Sequence, residues 1–339
     1  MRAAGDGFLW PNLAIIPEGQ VAHVAWFADG GLAPGALLRF TQNGEALVER
    51  APLMSTLSMV VESVLTRLTE SGVSNTSLSD EWDAISQVDA EEREFCLAAA
   101  RLGLDPYGID EGLARLIELA AEHLDSRTLD EFLGSANPWL LEKSLKWVGS
   151  AGGELKALPS QTVQAFHTLQ SSIDPATHGM GLPWERGWAQ AHDVRYALGL
   201  GNSDPLSLDG LIALKRLTAP DLSFEGLGGV SDAGGCGLVL GREQFDRSAR
   251  FVGARSLWHF LYEPARERFL LTAAHTDYQR VERAFAAEIL APAVGVEEML
   301  GATSYVYFDE LERVANHFEV STRVIRHQAE NQLALDVIE

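Results

Sequence analysis

Hydrophobic residues recur at helical spacing over most of the chain. Leu57, Val60, Val61, Val64 and Leu65 repeat every three or four positions, which is the spacing of one face of a helix. The same pattern predicts further helices at residues 89–102, 110–123, 128–133, 138–148, 184–198, 206–217, 244–261, 278–290, 296–300, 308–318 and 321–332. The pattern therefore predicts a mainly helical protein.

Strand-like segments are few and short. Residues 20–27 are rich in valine and aromatic residues, residues 35–41 follow, and Asn43-Gly44 is a typical hairpin turn before 45–49. A glycine-bounded apolar run at 237–241 predicts a buried strand. We therefore expect the α+β class, mainly helical, with a β-hairpin and helical N-terminal region followed by a domain with a small sheet.

The length and the glycine pattern predict two domains. A chain of 339 residues exceeds the usual size of a single domain. Glycine and proline concentrate between residues 149 and 182, which is typical of a linker. We therefore expect an N-terminal domain of unknown type at 1–150, a linker-like segment at 151–181 and a second domain at 182–339.

The charge and the cysteine content exclude several classes of protein. Lysine and arginine number 26 against 48 acidic residues, a net charge of −22 that repels a phosphate backbone and favours a protein partner over nucleic acid. Cys96 and Cys236 are too few and too far apart for a disulfide framework or a cysteine-rich zinc site. No run of 18 apolar residues occurs and the first residues lack a signal-peptide pattern, so we expect no membrane partner and a cytoplasmic location.

Five segments in a fixed order carry a family resemblance in the last 150 residues or so. They are LPWERGWAQAHDVRYALGL from Leu182, GCGLVLG, RFVGARSLWHFLY, ERAFAAEILAP, and FDELERVANHFEVSTRVIRHQAENQ, which ends at Gln332. This series resembles the ImmA/IrrE family of zincin-like metallopeptidases. The resemblance implies a zincin-like fold for residues 182–339, whereas residues 1–150 resemble no family that we can name.

The resemblance also shows which chemical groups are missing. The family's H-E-x-x-H motif places two histidines on one helix face and a glutamate base between them. Arg255 stands at the first histidine position, Ser256 at the glutamate and His259 at the second histidine. The third ligand is an acid shortly before F-A-A-E, where this sequence has Gln279 and Val281, with Glu282 displaced and Asp277 farther off. A catalytic zinc needs three protein ligands, so we expect no intact catalytic residues and no cofactor.

The leading hypothesis is a degenerate member of that family. We expect a pseudo-metallopeptidase that binds another protein, such as a repressor or toxin, as a regulatory or antitoxin-like subunit in a bacterial stress, mobile-element or defence locus. The resemblance implies that the active members cut helix-turn-helix repressors. The strand at 237–241 would then be a free edge that pairs with an extended peptide.

Two alternatives remain open from the sequence. The first is an active zinc endopeptidase that cleaves a repressor with rearranged ligands, drawn from His259, His275, Asp277 and Glu282. The second is a DNA-binding transcriptional regulator, because residues 308–318 and 321–332 have helix-turn-helix spacing. Arg323, Arg326 and His327 would contact phosphate in that case.

The same residues also have structural explanations. His259 lies in the apolar run LWHFLY and is expected to be a hydrogen-bonded core histidine, and Ser256 a surface or capped serine. Arg255 and His259 face the same way because they are four residues apart on a helix. We therefore expect the Arg255 guanidinium to replace the metal and to form an ion pair with Glu282 or Asp277.

Overall fold

The computed structural model describes residues 12–18, 21–28, 39–158, 164–173, 182–217, 227–232, 236–241, 246–264, 266, 268–274, 276–301 and 303–338. The chain divides into two compact units, Met1–Arg93 and Glu94–Glu339. The architecture is α+β and mainly helical, as the sequence predicts. Among the described residues, no helix is both long enough and apolar enough to cross a membrane. Within the described part of the chain, neither Cys96 nor Cys236 forms a disulfide bond.

The first unit combines an antiparallel sheet with two helices. Its strands pair in the order β1-β2-β3, and its elements are β1 (Asn12–Glu18), β2 (Val21–Phe27), β3 (Gly44–Glu49), α1 (Arg50–Glu70) and α2 (Ser77–Gln87). The predicted two-residue turn at Asn43-Gly44 is wrong, because Gly44 begins β3 opposite Trp26. A side chain at Gly44 would overlap the Trp26 ring, which explains the glycine.

The second unit contains a four-stranded sheet between helical layers. Its strands are β4 (Ala213–Arg216), β5 (Leu227–Asp232), β6 (Gly237–Leu240) and β7 (Arg268–Thr272). They pair in the order β4-β6-β5-β7, with β4 parallel to β6 and β5 antiparallel to both of its neighbours. This pairing order places β6 inside the sheet, between β4 and β5.

Helices from both halves of the sequence cover the two faces of this sheet. The helices are α3 (Ala90–Arg101), α4 (Glu111–His123), α5 (Ser126–Leu133), α6 (Leu141–Ala157), α7 (Gln164–Ser171), α8 (Pro183–Ala197), α9 (Asp246–Tyr262), α10 (Asp277–Leu290), α11 (Ala293–Leu300), α12 (Phe308–His317) and α13 (Thr322–Asn331). Trp147 and Leu155 of α6 share a core with Val230, Val239 and Leu270 of the sheet. Leu238, Leu240 and Leu271 face the other way, towards α9.

The remaining elements complete the α9 side of the unit. Helices α8 and α10 approach closely at Gly187, where an added Cβ would be 2.8 Å from the Ala284 Cβ. A small parallel pair, β8 (Tyr305–Tyr307) and β9 (Asp336–Ile338), lies beside α12 and α13. Arg255, His259 and Glu282 belong to the two helices at the centre of this layer, α9 and α10.

Two expectations about strands require correction. The helix predicted at 206–217 is wrong, because a turn with Gly210 at φ +77° precedes strand β4. The strand predicted at 237–241 is present as β6, but its expected role as a free edge is wrong. Strand β6 pairs on both sides, and all four of its residues are buried.

The compact units differ from the expected domains. Helix α6 continues through the glycine-rich sequence at 149–153, and Ala151, Gly152 and Leu155 are buried against the rest of the second unit. Packing on the sheet outweighs the low helix propensity of glycine, about 1 kcal/mol per residue. The boundary between the units falls at Arg93/Glu94. In the expected linker at 151–181, the end of α6 and helix α7 are described, and residues 159–163 and 174–181 lie outside the described residues.

Candidate functional site

Helix α9 presents three candidate residues to the interior of the second unit. Arg255, Ser256 and His259 are all buried, and Arg255 and His259 point in the same direction, as their spacing predicts. Helix α10 contributes Glu282, whose side chain is only 1% exposed. The site is therefore an internal contact between two packed helices.

The Glu282 carboxylate accepts hydrogen bonds from both α9 residues. Arg255 Nε lies 2.9 Å from Glu282 Oε1, and Arg255 Nη2 donates to the same oxygen. Nη2 also donates to the backbone carbonyl of Thr272 at 2.7 Å. His259 Nε2 bonds the other oxygen, Oε2. The expected ion pair of Arg255 is therefore confirmed, with Glu282 rather than Asp277 as the partner.

Electrostatics keep this carboxylate ionised in spite of its burial. Burial by itself raises the pKa of Glu282, but the charges and hydrogen bonds of Arg255 and His259 outweigh that effect and hold the pKa below the ordinary value of 4.5. Nearby, burial and the Arg255 charge lower the pKa of Arg283 to about 10. Arg283 Nη2 donates to the Thr272 carbonyl at 2.8 Å, so this carbonyl serves two guanidinium groups.

His259 is a buried core histidine, as expected. Its ring centroid lies 4.2 Å from that of Phe269 and 4.8 Å from that of Trp258. Since Nε2 faces an ionised carboxylate, Nε2 carries the proton of this hydrogen bond. Among the described residues, its buried Nδ1 has no hydrogen-bond partner.

Ser256 and Asp277 do not join this cluster. Ser256 is fully buried rather than at the surface, and its Oγ donates to the Val252 carbonyl at 3.3 Å, so the expected surface position is wrong. Asp277 begins α10, where its Oδ2 lies 3.6 Å from Arg186 Nη1. His275 lies outside the described residues.

The residues present do not fit a zinc ion. Catalytic zinc needs three protein ligands, but among the residues that the structure describes this cluster offers one imidazole and one carboxylate, both already hydrogen-bonded. Arg255 places a permanent positive charge on the same carboxylate, where it opposes a divalent cation. Within the described part of the chain, no group of three His, Cys, Asp or Glu residues is arranged to hold a metal.

A second buried carboxylate, Glu288 on α10, was not identified from the sequence. It accepts hydrogen bonds from His192 Nε2, Gln328 Nε2 and Gln332 Nε2, each at 2.7 Å, and from the Ala293 amide at 3.2 Å. Glu288 follows Glu282 by six residues and lies in an apolar stretch of α10. A charged residue among apolar neighbours is a sign of a buried carboxylate, and this sign could have identified Glu288 from the sequence. The network connects α8, α10, α11 and the last helix of the chain.

Helix α13 uses part of its surface for this network. Val324, Ile325 and Gln328 are buried, whereas Arg323 and His327 are exposed and Arg326 is partly buried. The three residues that would contact phosphate are therefore not equally available at the surface.

Arg255, His259 and Glu282 meet at one point. In the sequence resemblance, Arg255 and His259 stand at the two histidine positions, and Glu282 is displaced from the position of the third ligand. A search with protein-family models finds none that matches the chain. A search of curated proteins likewise finds no match.

Proposed function

We propose that this chain is a zincin-like protein of the ImmA/IrrE type in which an internal ion cluster replaces the metal site. In this proposal it acts by binding another protein and does not cleave it. The supporting observation is the convergence of Arg255, His259 and Glu282, in which a guanidinium at the first histidine position contacts the acid closest to the position of the third ligand.

The chemistry of the cluster favours binding over hydrolysis. Peptide hydrolysis by a zincin requires an activated water and a carboxylate base beside the metal. Ser256 stands where that base would be, and its hydroxyl is hydrogen-bonded to its own helix. Arg255 remains protonated in proteins, so it cannot serve as the missing base.

An exposed aromatic patch supports the choice of a protein partner. Tyr305, Tyr307 and Phe308 are each about half exposed, and the two tyrosine rings are in contact, with centroids 5.6 Å apart. Ile338 is also exposed and lies opposite Tyr307 in the β8–β9 ladder. Clustered aromatic residues of this kind are typical of the centres of protein interfaces.

Only one edge of the main sheet is open to an extended peptide among the described residues. At β7, the Leu270 amide donates to Glu131 Oε2 of helix α5 at 3.0 Å, so a side chain occupies that edge. In the ranges that the structure describes, strand β4 pairs only with β6, and Leu214 is 43% exposed. A peptide-pairing role therefore belongs to β4 and not to the strand at 237–241.

The zinc content of the purified full-length protein tests the loss of the metal site. We expect far less than one zinc per chain. Arg255→His combined with Ser256→Glu should raise zinc affinity, since it restores an H-E-x-x-H sequence beside Glu282. The matched control Arg250→His adds a histidine elsewhere on α9 and should leave zinc affinity unchanged. Stoichiometric zinc in the wild type that is lost in His259→Ala would instead support the peptidase alternative.

The binding role requires a separate measurement. The protein should form a complex with the product of a neighbouring gene, detected by size-exclusion chromatography, and that product should remain uncleaved. Tyr305→Ser with Phe308→Ser should weaken the complex. Tyr196→Ser, at a tyrosine that is 88% exposed and lies outside the patch, is the matched control. Cleavage of the partner by the wild type would contradict the proposed function.

A further inference from the structure

The second unit contains a cleft on the side of the sheet that faces α5 and α6, away from the Arg255 cluster. It measures about 440 Å³, which is within the range of small-molecule sites. Its walls come from the end of α4, the start of α5, one face of α6, the end of β5 and the start of β7. Basic side chains in its lining are Arg266, Arg268, Lys156 and His123.

Arg266 has a structural role in this lining. Its Nη1 and Nη2 donate to the two oxygens of Glu131 at 2.7 and 2.9 Å, and Nη2 also donates to Thr128 Oγ1 at 3.3 Å. The guanidinium lies over the Phe269 ring, 4.8 Å from its centroid. Its charge is compensated within the protein, so Arg266 forms part of the wall.

Arg268 and Lys156 differ from Arg266, whose charge is paired with Glu131. In the described part of the chain, neither side chain forms an ion pair or a side-chain hydrogen bond. Arg268 is partly buried and packs over Gly152, where an added Cβ would be only 2.9 Å from Arg268 Nη2. A glycine at this point of α6 therefore provides the space for the guanidinium.

The acidic residues of the cleft do not offset these two charges completely. Asp125 caps α5, accepting from the Thr128 amide at 3.0 Å and from Thr128 Oγ1 at 2.6 Å. Asp232 lies opposite Arg268 in the β5–β7 ladder and has interactions of its own. Two acids, Asp125 and Asp232, thus line the cleft together with the charges of Arg266, Arg268 and Lys156, although the protein as a whole carries a net charge of −22. Local positive charge inside an acidic protein concentrates and orients small anions.

We propose that this cleft binds a small molecule through an oxyanion group, either a phosphoryl or a carboxylate. Arg268 makes the main contact, since its planar guanidinium matches two oxygens of either group. Lys156 supplies a second positive charge at the rim of the cleft. This site is separate from the Arg255 cluster and does not depend on the function proposed above.

Calorimetric titration of the full-length protein at constant ionic strength tests the site. The probes are inorganic phosphate, pyrophosphate and succinate, which separate the phosphoryl and carboxylate sources. At least one of them should bind the wild type, and Arg268→Gln should weaken its binding by about tenfold or more, as expected for a charged hydrogen-bonded contact. Arg268→Lys should weaken it less, since the charge is kept.

Two further variants distinguish binding from folding. Lys156→Gln changes an exposed residue, so it should weaken binding without altering the thermal unfolding of the protein. The matched control Lys146→Gln lies on the same helix, pairs with Glu142 and should leave binding unchanged. Failure of all three probes to bind at about 10 mM, or unchanged affinity in both Arg268→Gln and Lys156→Gln, would overturn the proposal.

Discussion

Arg255 and Glu282 form a buried ion pair that joins helices α9 and α10, with Nε 2.9 Å from Oε1. Their side chains are 8% and 1% exposed. A buried pair of this kind contributes little net stability compared with well-packed apolar residues, yet the loss of one partner is costly. The ion pair therefore fixes the contact between α9 and α10. Each buried charge is tolerated only because the other is present.

Removal of Arg255 alone should destabilise the protein strongly. Arg255→Met leaves the Glu282 carboxylate buried with only His259 as a partner, so we expect a loss of about 3–5 kcal/mol in the free energy of unfolding. Urea denaturation with matched m-values measures this quantity. The control Arg101→Ala breaks the more exposed pair with Asp130 and should cost about 1 kcal/mol or less.

The double variant tests whether the stranded charge is the cause. Arg255→Met combined with Glu282→Gln removes both charges while the Gln carbonyl still accepts a bond from His259. It should be more stable than Arg255→Met alone. Equal stability of the two variants would show that the loss comes from packing instead.

The relative direction of Arg255 and His259 could be predicted from the sequence because it depends only on helical geometry. The identity of the acidic partner could not. Glu282 and Asp277 are both near the expected position, and only the packing of α10 against α9 selects Glu282. The choice depends on the rotation of α10, which local sequence does not determine.

The stability of the protein should depend on pH through His192. The hydrogen bond to Glu288 raises the pKa of His192 above 6.5, although burial acts in the opposite direction. Because the pKa of His192 is higher in the folded state, its pairing with Glu288 stabilises the fold. This stabilisation is fully present below about pH 6.5 and is lost as pH rises through the folded-state pKa. We expect His192→Asn to reduce the free energy of unfolding more at about pH 5.5 than at about pH 8.5.

The expected pH effect is small, since the His192 side chain is 54% exposed and solvent screens the pair. In a Glu288→Gln background, His192→Asn should no longer have a pH-dependent effect. If the effect of His192→Asn depended on pH equally in the wild type and in Glu288→Gln, the pairing with Glu288 would not be the cause of the pH dependence.

Two glycines at helical positions should respond in opposite ways to alanine. At Gly187, an added Cβ would lie 2.8 Å from both the Ala284 Cβ and the Phe285 amide nitrogen, so α8 and α10 must separate. Gly187→Ala should therefore cost about 1–3 kcal/mol. Nothing lies within 4 Å of a Cβ at Gly149 on α6, so Gly149→Ala should stabilise the protein by up to about 1 kcal/mol. Thermal unfolding of both variants measures the contrast.

The helix around Gly149 also shows why the domain division could not be predicted. The sequence at 149–153 has the composition of a linker, and local propensity is the only information that a single sequence provides there. The glycine at 152 leaves space for the guanidinium of Arg268, which is more than 100 residues away in the chain. The strand at 213–216 was missed for a similar reason, because its partner β6 is also distant in sequence.

Truncated fragments should distinguish the boundary at Arg93/Glu94 from the second domain expected at residues 182–339. A fragment that begins at Asp89 keeps α3 with its N-terminal cap, in which Asp89 Oδ1 accepts the Glu92 amide at 2.8 Å. It also keeps the core in which α6 residues Trp147 and Val148 contact the sheet. We therefore expect residues 89–339 to fold, with a cooperative thermal transition measured by circular dichroism.

A fragment of residues 182–339 should not fold in the same way. Without α6, it exposes the sheet face that contains Val230, Val239 and Leu270, all fully buried in the complete chain. Each large side chain that is no longer buried costs about 1.5–3 kcal/mol. Several such losses together exceed the free energy of unfolding of most domains. A cooperative transition in residues 182–339 at the temperature of the longer fragment would contradict this prediction and would restore the boundary that the glycine-rich sequence suggests.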